Sequence, residues 1–168
     1  MNRRCISLCF VFLFTTSMIG QELPRGFDKD ELSKMPEYLT EVSNYTPLHH
    51  RSQLPGEVRS MAEWEELQGL IISWVNSYKE IQAEIVKATI GQCRIIVCTE
   101  EGAVKRYLTS KGIQDSDQIQ YVVGKYNSVW VRDYCPNSVY SNDVDSLYFT
   151  DWIYNRPRYQ DDTIARQL

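Results

Sequence analysis

Between residues 69 and 123 the chain alternates short, almost wholly apolar runs with longer stretches whose apolar residues recur at helical spacing. Few architectures other than an α/β one accept that alternation, because each apolar run needs a helix to cover it. Gly69-Leu-Ile-Ile-Ser-Trp74 and Cys93-Arg-Ile-Ile-Val-Cys98 are strand-type runs. The stretch from Tyr78 to Ile90 places Ile81, Ile85 and Ala88 on one helical face, and Gly91 follows as a stop. A second helix is predicted from Glu100 to Ser110, where Glu100 and Glu101 meet the positive end of the helix dipole and Gly112 lies past the end. Ile119–Val123, Ser128–Val131 and Ser146–Tyr154 are further strand candidates, so strands of mixed direction are expected.

The ends of the chain read differently. Arg3 and Arg4 precede an apolar run from Cys5 to Ile19, which has the length of a signal-peptide core and is short for a membrane span. Residues 1–20 are therefore expected to be a signal peptide cut near Gln21, with secretion, or a periplasmic or cell-surface location, as the consequence. An uncleaved membrane anchor is the rival reading, and a lipoprotein cysteine fits less well because Cys5 and Cys9 open the apolar run. Residues 21–56 are rich in proline, charge and turn residues, and they read as a polar leading segment on the surface. The domain proper is expected over 57–168. Two of the 18 basic residues lie in the leader, which leaves 16 against 22 acidic ones, a formal charge of −6. Nucleic acid is an unsuitable partner for such a chain. Cys93, Cys98 and Cys135 remain after processing, an odd number without metal or disulfide-framework spacing. A Cys93–Cys98 bridge within one strand is geometrically poor, since the two side chains point to opposite faces.

The chemistry concentrates in two places. Val129-Trp-Val-Arg-Asp-Tyr134 sets an indole, a cation, a carboxylate and a phenol before the Pro136-Asn137 turn. Continued strand alternation puts Trp130 and Arg132 on one face and Asp133 on the other. Asp133 either pairs with Arg132 or caps the turn, or it combines with an aromatic face to receive a planar guanidinium. Further on, Tyr154-Asn-Arg-Pro-Arg158 holds two guanidinium groups on a stiff turn. Arg156 and Arg158 then either grip a carboxylate or phosphate, or answer Asp161 and Asp162 as a solvated pair. Cys135 has no histidine near it in sequence and reads as a packed residue rather than a nucleophile. His49 and His50 read as an exposed pair in the leading segment. No phosphate-binding glycine loop, zinc spacing or serine elbow occurs, and neither cofactor nor metal is expected.

Three stretches, Met61–Trp74, Asn127–Pro136 and Asp151–Asp162, resemble the bacterial peptidylarginine deiminase and agmatine deiminase family of guanidino-modifying enzymes. The likeness spans residues 55 to 168. It implies an α/β fold that is an incomplete five-bladed propeller (a pentein), roughly its first two blades, with mixed strands and helices outside. It also implies that Asp133 grips the substrate guanidinium with Trp130 lining the same slot. Asn155-Arg-Pro-Arg158 resembles the peptidylarginine deiminase branch, so Arg156 and Arg158 are the expected partners of the carboxylate of a C-terminal arginine. Agmatine has no such carboxylate.

Two departures from the family pattern matter. Cys135 stands where the family usually has glycine, which strains the turn if a positive φ is required there. The family mechanism needs a cysteine thiolate to attack the guanidinium carbon, a His-x-Asp pair to help ammonia leave, and water to release citrulline. No His-x-Asp and no late cysteine occur in these residues. The expectation is therefore a truncated peptidylarginine deiminase-like chain, inactive alone. Its partners would be arginine-containing peptides or small guanidinium substrates, and incomplete propeller edges would be prone to association. The alternatives are an agmatine deiminase-like chain and a non-catalytic binder of arginine-ended peptides.

Overall fold

In the computed structural model, residues 25–44, 56–100, 102–141 and 146–168 are described here. The expected signal peptide, His49 and His50 lie outside them. Strand β2 (Gly69–Ser73) leads through a short 3-10 turn into helix α2 (Lys79–Thr89), then β3 (Arg94–Thr99), α3 (Ala103–Ser110) and β4 (Ile119–Val123). The three strands form a parallel sheet in the order β2-β3-β4, with Ile72 opposite Val97 and Ile95 opposite Ile119. Gly91 and Gly112 follow α2 and α3 with φ of 85° and 81°, the left-handed conformation that releases the chain from a helix at low steric cost.

Why the strand runs are apolar throughout follows from what covers them. One face, through Ile72, Ile95, Val97 and Ile119, packs on Ala83 and Val86 of α2 and on Val104 and Leu108 of α3. The other face, through Ile71, Ile96, Cys98 and Val122, packs on Tyr134, Tyr154 and Ile164. A parallel sheet buried on both sides has no polar face to alternate with. The opposite face of α2 was the one expected to be inside: Ile81 and Ile85 are 62% and 39% exposed, whereas Gln82, Ala83 and Val86 are buried. The buried polar residue made that stripe inconspicuous. Gln82 turns its amide to the backbone of Ser73 at 2.6 Å and accepts from Val75 N–H at 3.0 Å, which satisfies it inside.

A second, antiparallel sheet joins β1 (Val58–Ser60), β5 (Asn137–Ser141) and β6 (Ser146–Thr150) in the order β1-β5-β6. Both strand directions are thus present, as expected. β6 ends at Thr150 rather than Tyr154, and the expected strand over Ser128–Val131 does not form. Val131–Tyr134 is instead a single helical turn, α4. β-branched residues favour extension only weakly, and here side-chain hydrogen bonds to the backbone decide the conformation.

Helix α1 (Lys29–Ser43) lies inside the segment expected to be irregular. Asp28 and Glu31 form a reciprocal capping box, Asp28 accepting from Glu31 N–H at 2.8 Å and Glu31 from Asp28 N–H at 2.9 Å. Pro36 sits within the helix and removes one backbone donor. That proline made the stretch read as turns, yet tertiary contacts to the 154–159 strip hold the helix. No helix among the described residues is long and apolar enough to cross a membrane.

Candidate functional site

The loop that carries α4 is fixed by a buried carboxylate. Asp161 is fully buried and accepts from Ser128 Oγ at 2.8 Å, from Ser128 N–H at 3.2 Å and from Asn127 N–H at 2.6 Å. Burial pushes its carboxyl above the ordinary aspartate value, while these bonds and the nearby Arg158 pull the other way. The carbonyl of Ser128 in turn accepts from the hydroxyls of Tyr134, at 2.8 Å, and Ser73, at 3.0 Å. Residues 127–134 are therefore anchored to both β2 and the closing 3-10 turn Asp161–Arg166. Asp161, Ser128 and Ser73 belong to this framework by contacts that span dozens of residues. No local pattern marks them.

From that anchored loop the motif residues diverge. Arg132 swings outward and forms an exposed ion pair with Glu63. It is thereby taken away from Asp133, so the Arg132–Asp133 pairing allowed by the sequence is not the one formed. Among the described residues, no ion pair or hydrogen bond engages the Asp133 carboxylate. It lines a cavity of about 420 Å³ with residues 152–156 and Arg25. Trp130 stands half-buried at the start of α4, outside the lining. The indole that does line the cavity is Trp152.

The two arginines of the Asn-Arg-Pro-Arg stretch have different surroundings. Arg156 lines the cavity, and its guanidinium lies 4.3 Å from the centroid of the Phe27 ring. Arg158 is 1% exposed and forms a two-point ion pair with Glu31 through Nε and, at 3.1 Å, Nη2. It is not one of the cavity-lining residues. Asp161 and Asp162, the partners a solvated pair would answer, are turned elsewhere: Asp161 to Ser128, and Asp162 to Tyr154 N–H at 2.8 Å. Burial works against both charges of the Glu31–Arg158 pair, yet their mutual bonding prevails. The Glu31 carboxyl is held below its usual value and the Arg158 guanidinium above its own. Tyr38 and Glu41 reinforce this attachment, the Tyr38 hydroxyl donating to the Tyr154 carbonyl and the Tyr159 hydroxyl donating to Glu41 at 2.7 Å. The local signal for α1 is the Asp28-x-x-Glu31 capping pattern, which the surrounding proline and turn residues masked. The partner of Glu31 lies 127 residues away, where no local pattern points to it.

The Cys98 and Cys135 thiols are poor nucleophiles. Burial pushes Cys135 up to about 12, with the negative charge of Asp151 adding to it. Burial likewise pushes Cys98 up to about 12, helped by Cys135 and opposed by a hydrogen bond with Tyr126. Cys93, Cys98 and Cys135 are all free. Cys135 has φ −75° and ψ 151°, so its turn needs no left-handed residue and the side chain causes no backbone strain. No group of three His, Cys, Asp or Glu suited to a metal ion occurs among the described residues.

Solved structures that share this fold include two from C. jejuni. The chain is 16% identical to an agmatine deiminase from C. jejuni, with a TM-score of 0.55 over 71% of this chain and 38% of that one. It is 19% identical to a cysteine-to-serine variant of C. jejuni agmatine deiminase with substrate bound, with a TM-score of 0.54 over 67% of this chain and 36% of that one. The chain thus spans well under half the length of these structures. Residues 59–168 match the family model of Porphyromonas-type peptidyl-arginine deiminase. That match covers β2 through the closing turn, including Asp133 and the Asn155–Arg158 stretch, and the chain belongs to that guanidino-modifying deiminase family.

Proposed function

We propose that this chain supplies the guanidinium-recognition part of an exported peptidylarginine deiminase, with the free arginine end of a peptide as its ligand. One observation carries the reading: Asp133 lines a cavity, and among the described residues no ion pair or hydrogen bond engages its carboxylate, while Arg132 pairs with Glu63. A carboxylate in that state suits a planar guanidinium, whose parallel N–H donors it can accept in pairs. Trp130 beside it and Trp152 in the wall are the aromatic candidates for stacking. Arg156, in the same lining, offers a cation to a ligand that also carries a carboxylate. That feature favours an arginine-ended peptide over agmatine. The two sheets are the blades of a pentein propeller in this reading, and the open β4 edge, where Val123 is 65% exposed, suits association with further blades.

Calorimetric titration of the purified chain with Gly-Gly-Arg tests this. Binding is expected, and Asp133→Asn is expected to weaken it by roughly tenfold to a hundredfold, the scale of a lost charge-assisted pair. Agmatine outcompeting the peptide would replace the substrate assignment, and an Asp133→Asn variant of unchanged affinity would remove the role given to Asp133. The same preparation is expected to release no ammonia from the peptide. The thiolate that the chemistry requires is suppressed at Cys98 and Cys135 by burial. Ammonia production lost on Cys135→Ala would overturn that expectation.

A further inference from the structure

Helix α1 is attached in a way unlike the rest of the fold. Of its 15 residues Glu31 and Tyr38 are the buried ones, while Leu32 and Leu39 are each 56% exposed. A helix that belonged to the core would turn its apolar residues inward. This one turns in a carboxylate and a phenol, and both meet the strip that carries Arg156 and Arg158. Glu31 takes Arg158 in its two-point pair, and the Gly26 carbonyl accepts from Nη2 of the same guanidinium at 3.4 Å. The Phe27 ring lies against the Arg156 guanidinium, and the Tyr38 hydroxyl donates to the Tyr154 carbonyl. Arg25, at the head of the same arm, lines the cavity that Asp133 lines.

One continuous segment thus presents a guanidinium to the cavity of Asp133 and, six residues on, a carboxylate to Arg158. Those are the two charges of an arginine-ended ligand, supplied by the chain itself. We infer that residues 25–43 form an autoinhibitory strap, in which Glu31 occupies Arg158 in place of a ligand carboxylate and Phe27 covers Arg156. The inference rests on the arginine-end reading above and adds what controls access to that site. A guanidinium fork already held at two points by one buried carboxylate has no room for a second, so α1 and the peptide compete for it. Competition for one group makes the coupling reciprocal: docking of α1 weakens the ligand as much as the ligand loosens α1. The attachment suits release, because few buried apolar side chains of α1 oppose it and both charges of the Glu31–Arg158 pair return to water together.

The test combines calorimetry with Gly-Gly-Arg and with agmatine, on the unaltered chain, Glu31→Gln and Tyr38→Phe, with hydrogen exchange of α1 in the unaltered chain. Glu31→Gln is expected to tighten Gly-Gly-Arg by about tenfold, within the usual range of coupling between two sites. Agmatine presents no carboxylate to Arg158, so its gain should be about twofold or less. Tyr38→Phe removes a tie of α1 and no group read as touching the ligand, and it should tighten Gly-Gly-Arg by about threefold, the scale of one neutral hydrogen bond. Thermal melts establish that each variant is folded before titration. In the unaltered chain, which needs no substitution, saturating Gly-Gly-Arg should speed amide exchange in Lys29–Ser43 while the β2-β3-β4 sheet is unchanged or slowed. Exchange of α1 that is unchanged or slowed at saturation overturns the inference. So does Gly-Gly-Arg affinity untouched by Glu31→Gln, which would make α1 a structural brace, and so does an equal gain for agmatine. Each of those results leaves the reading of Asp133 intact as long as a guanidinium ligand binds, whereas binding of neither ligand by any of the chains defeats both.

Discussion

Glu31→Ala is expected to destabilise the chain by about 3–5 kcal/mol, the range for removing one partner of a buried ion pair. For a chain of this size that corresponds to a melting temperature lower by roughly 10 °C. The size of the effect comes from what is left behind rather than from the pair's net worth. Arg158 is 1% exposed and stays positively charged at any pH the fold survives, so losing its counterion strands a cation away from water. Glu31 also closes the capping box on Asp28, which adds the loss of a helix cap. The double replacement Glu31→Leu with Arg158→Met is expected to recover much of the loss, because neither charge is then buried alone. If Glu31→Ala melts within a degree or two of the unaltered chain, α1 is not held on the 154–159 strip as described.

The same pair has a predictable pH response. The Glu31 carboxyl is lowered from 4.5 in the folded chain, so its contribution is fully present above pH 4.5 and is lost as pH falls through the folded value. Glu31→Gln should flatten that part of the acid-stability curve.

Asp161→Ala is the second large effect, expected at about 3–4 kcal/mol by denaturant titration, since three donors around residues 127–128 lose their common acceptor. Asp161→Asn should cost far less, under about 1 kcal/mol, because an amide oxygen can take the two backbone N–H groups while its NH₂ donates to the Ser128 hydroxyl. The pH sign is opposite to that of Glu31. Burial raises the Asp161 carboxyl above 3.8, so the folded chain keeps this proton longer than the unfolded one. The stability from this group is fully present below pH 3.8 and is lost as pH rises through the folded value. Asp161→Asn, which does not titrate, should therefore gain on the unaltered chain as pH rises through that window. A difference between the two that is flat with pH would contradict the burial of an ionisable Asp161.

Much of the frame was readable because it depends on local periodicity. The strand runs at 69–74 and 93–98, the two helices and their glycine stops each follow from residues a few positions apart. The reading failed where a distant partner decided the outcome. Ile81 and Ile85 look like the inner face of α2, but the sheet accepts Ala83 and Val86 together with Gln82, because the Ser73 and Val75 backbone satisfies the amide. Pro36 disguises α1, which docking by Tyr38, Glu41 and Glu31 stabilises. Val129-Trp-Val131 has strand-type composition, yet Asp161 and Tyr134 bind the Ser128 backbone and bend the loop into α4.

The sequence by itself determined the α/β class and the family resemblance of residues 55 to 168. It also singled out Trp130, Asp133, Arg156 and Arg158, since motif and periodicity are properties of neighbouring residues. Only the tertiary structure decided which of those side chains share a cavity. Arg132 pairs with Glu63 rather than Asp133, Arg158 is held in an ion pair by Glu31, and Trp152 and Arg25 complete a lining to which neither had been assigned. Pairing of charges is settled by which opposite charge the folded backbone brings within a few ångströms, and for these groups that partner lies far along the chain.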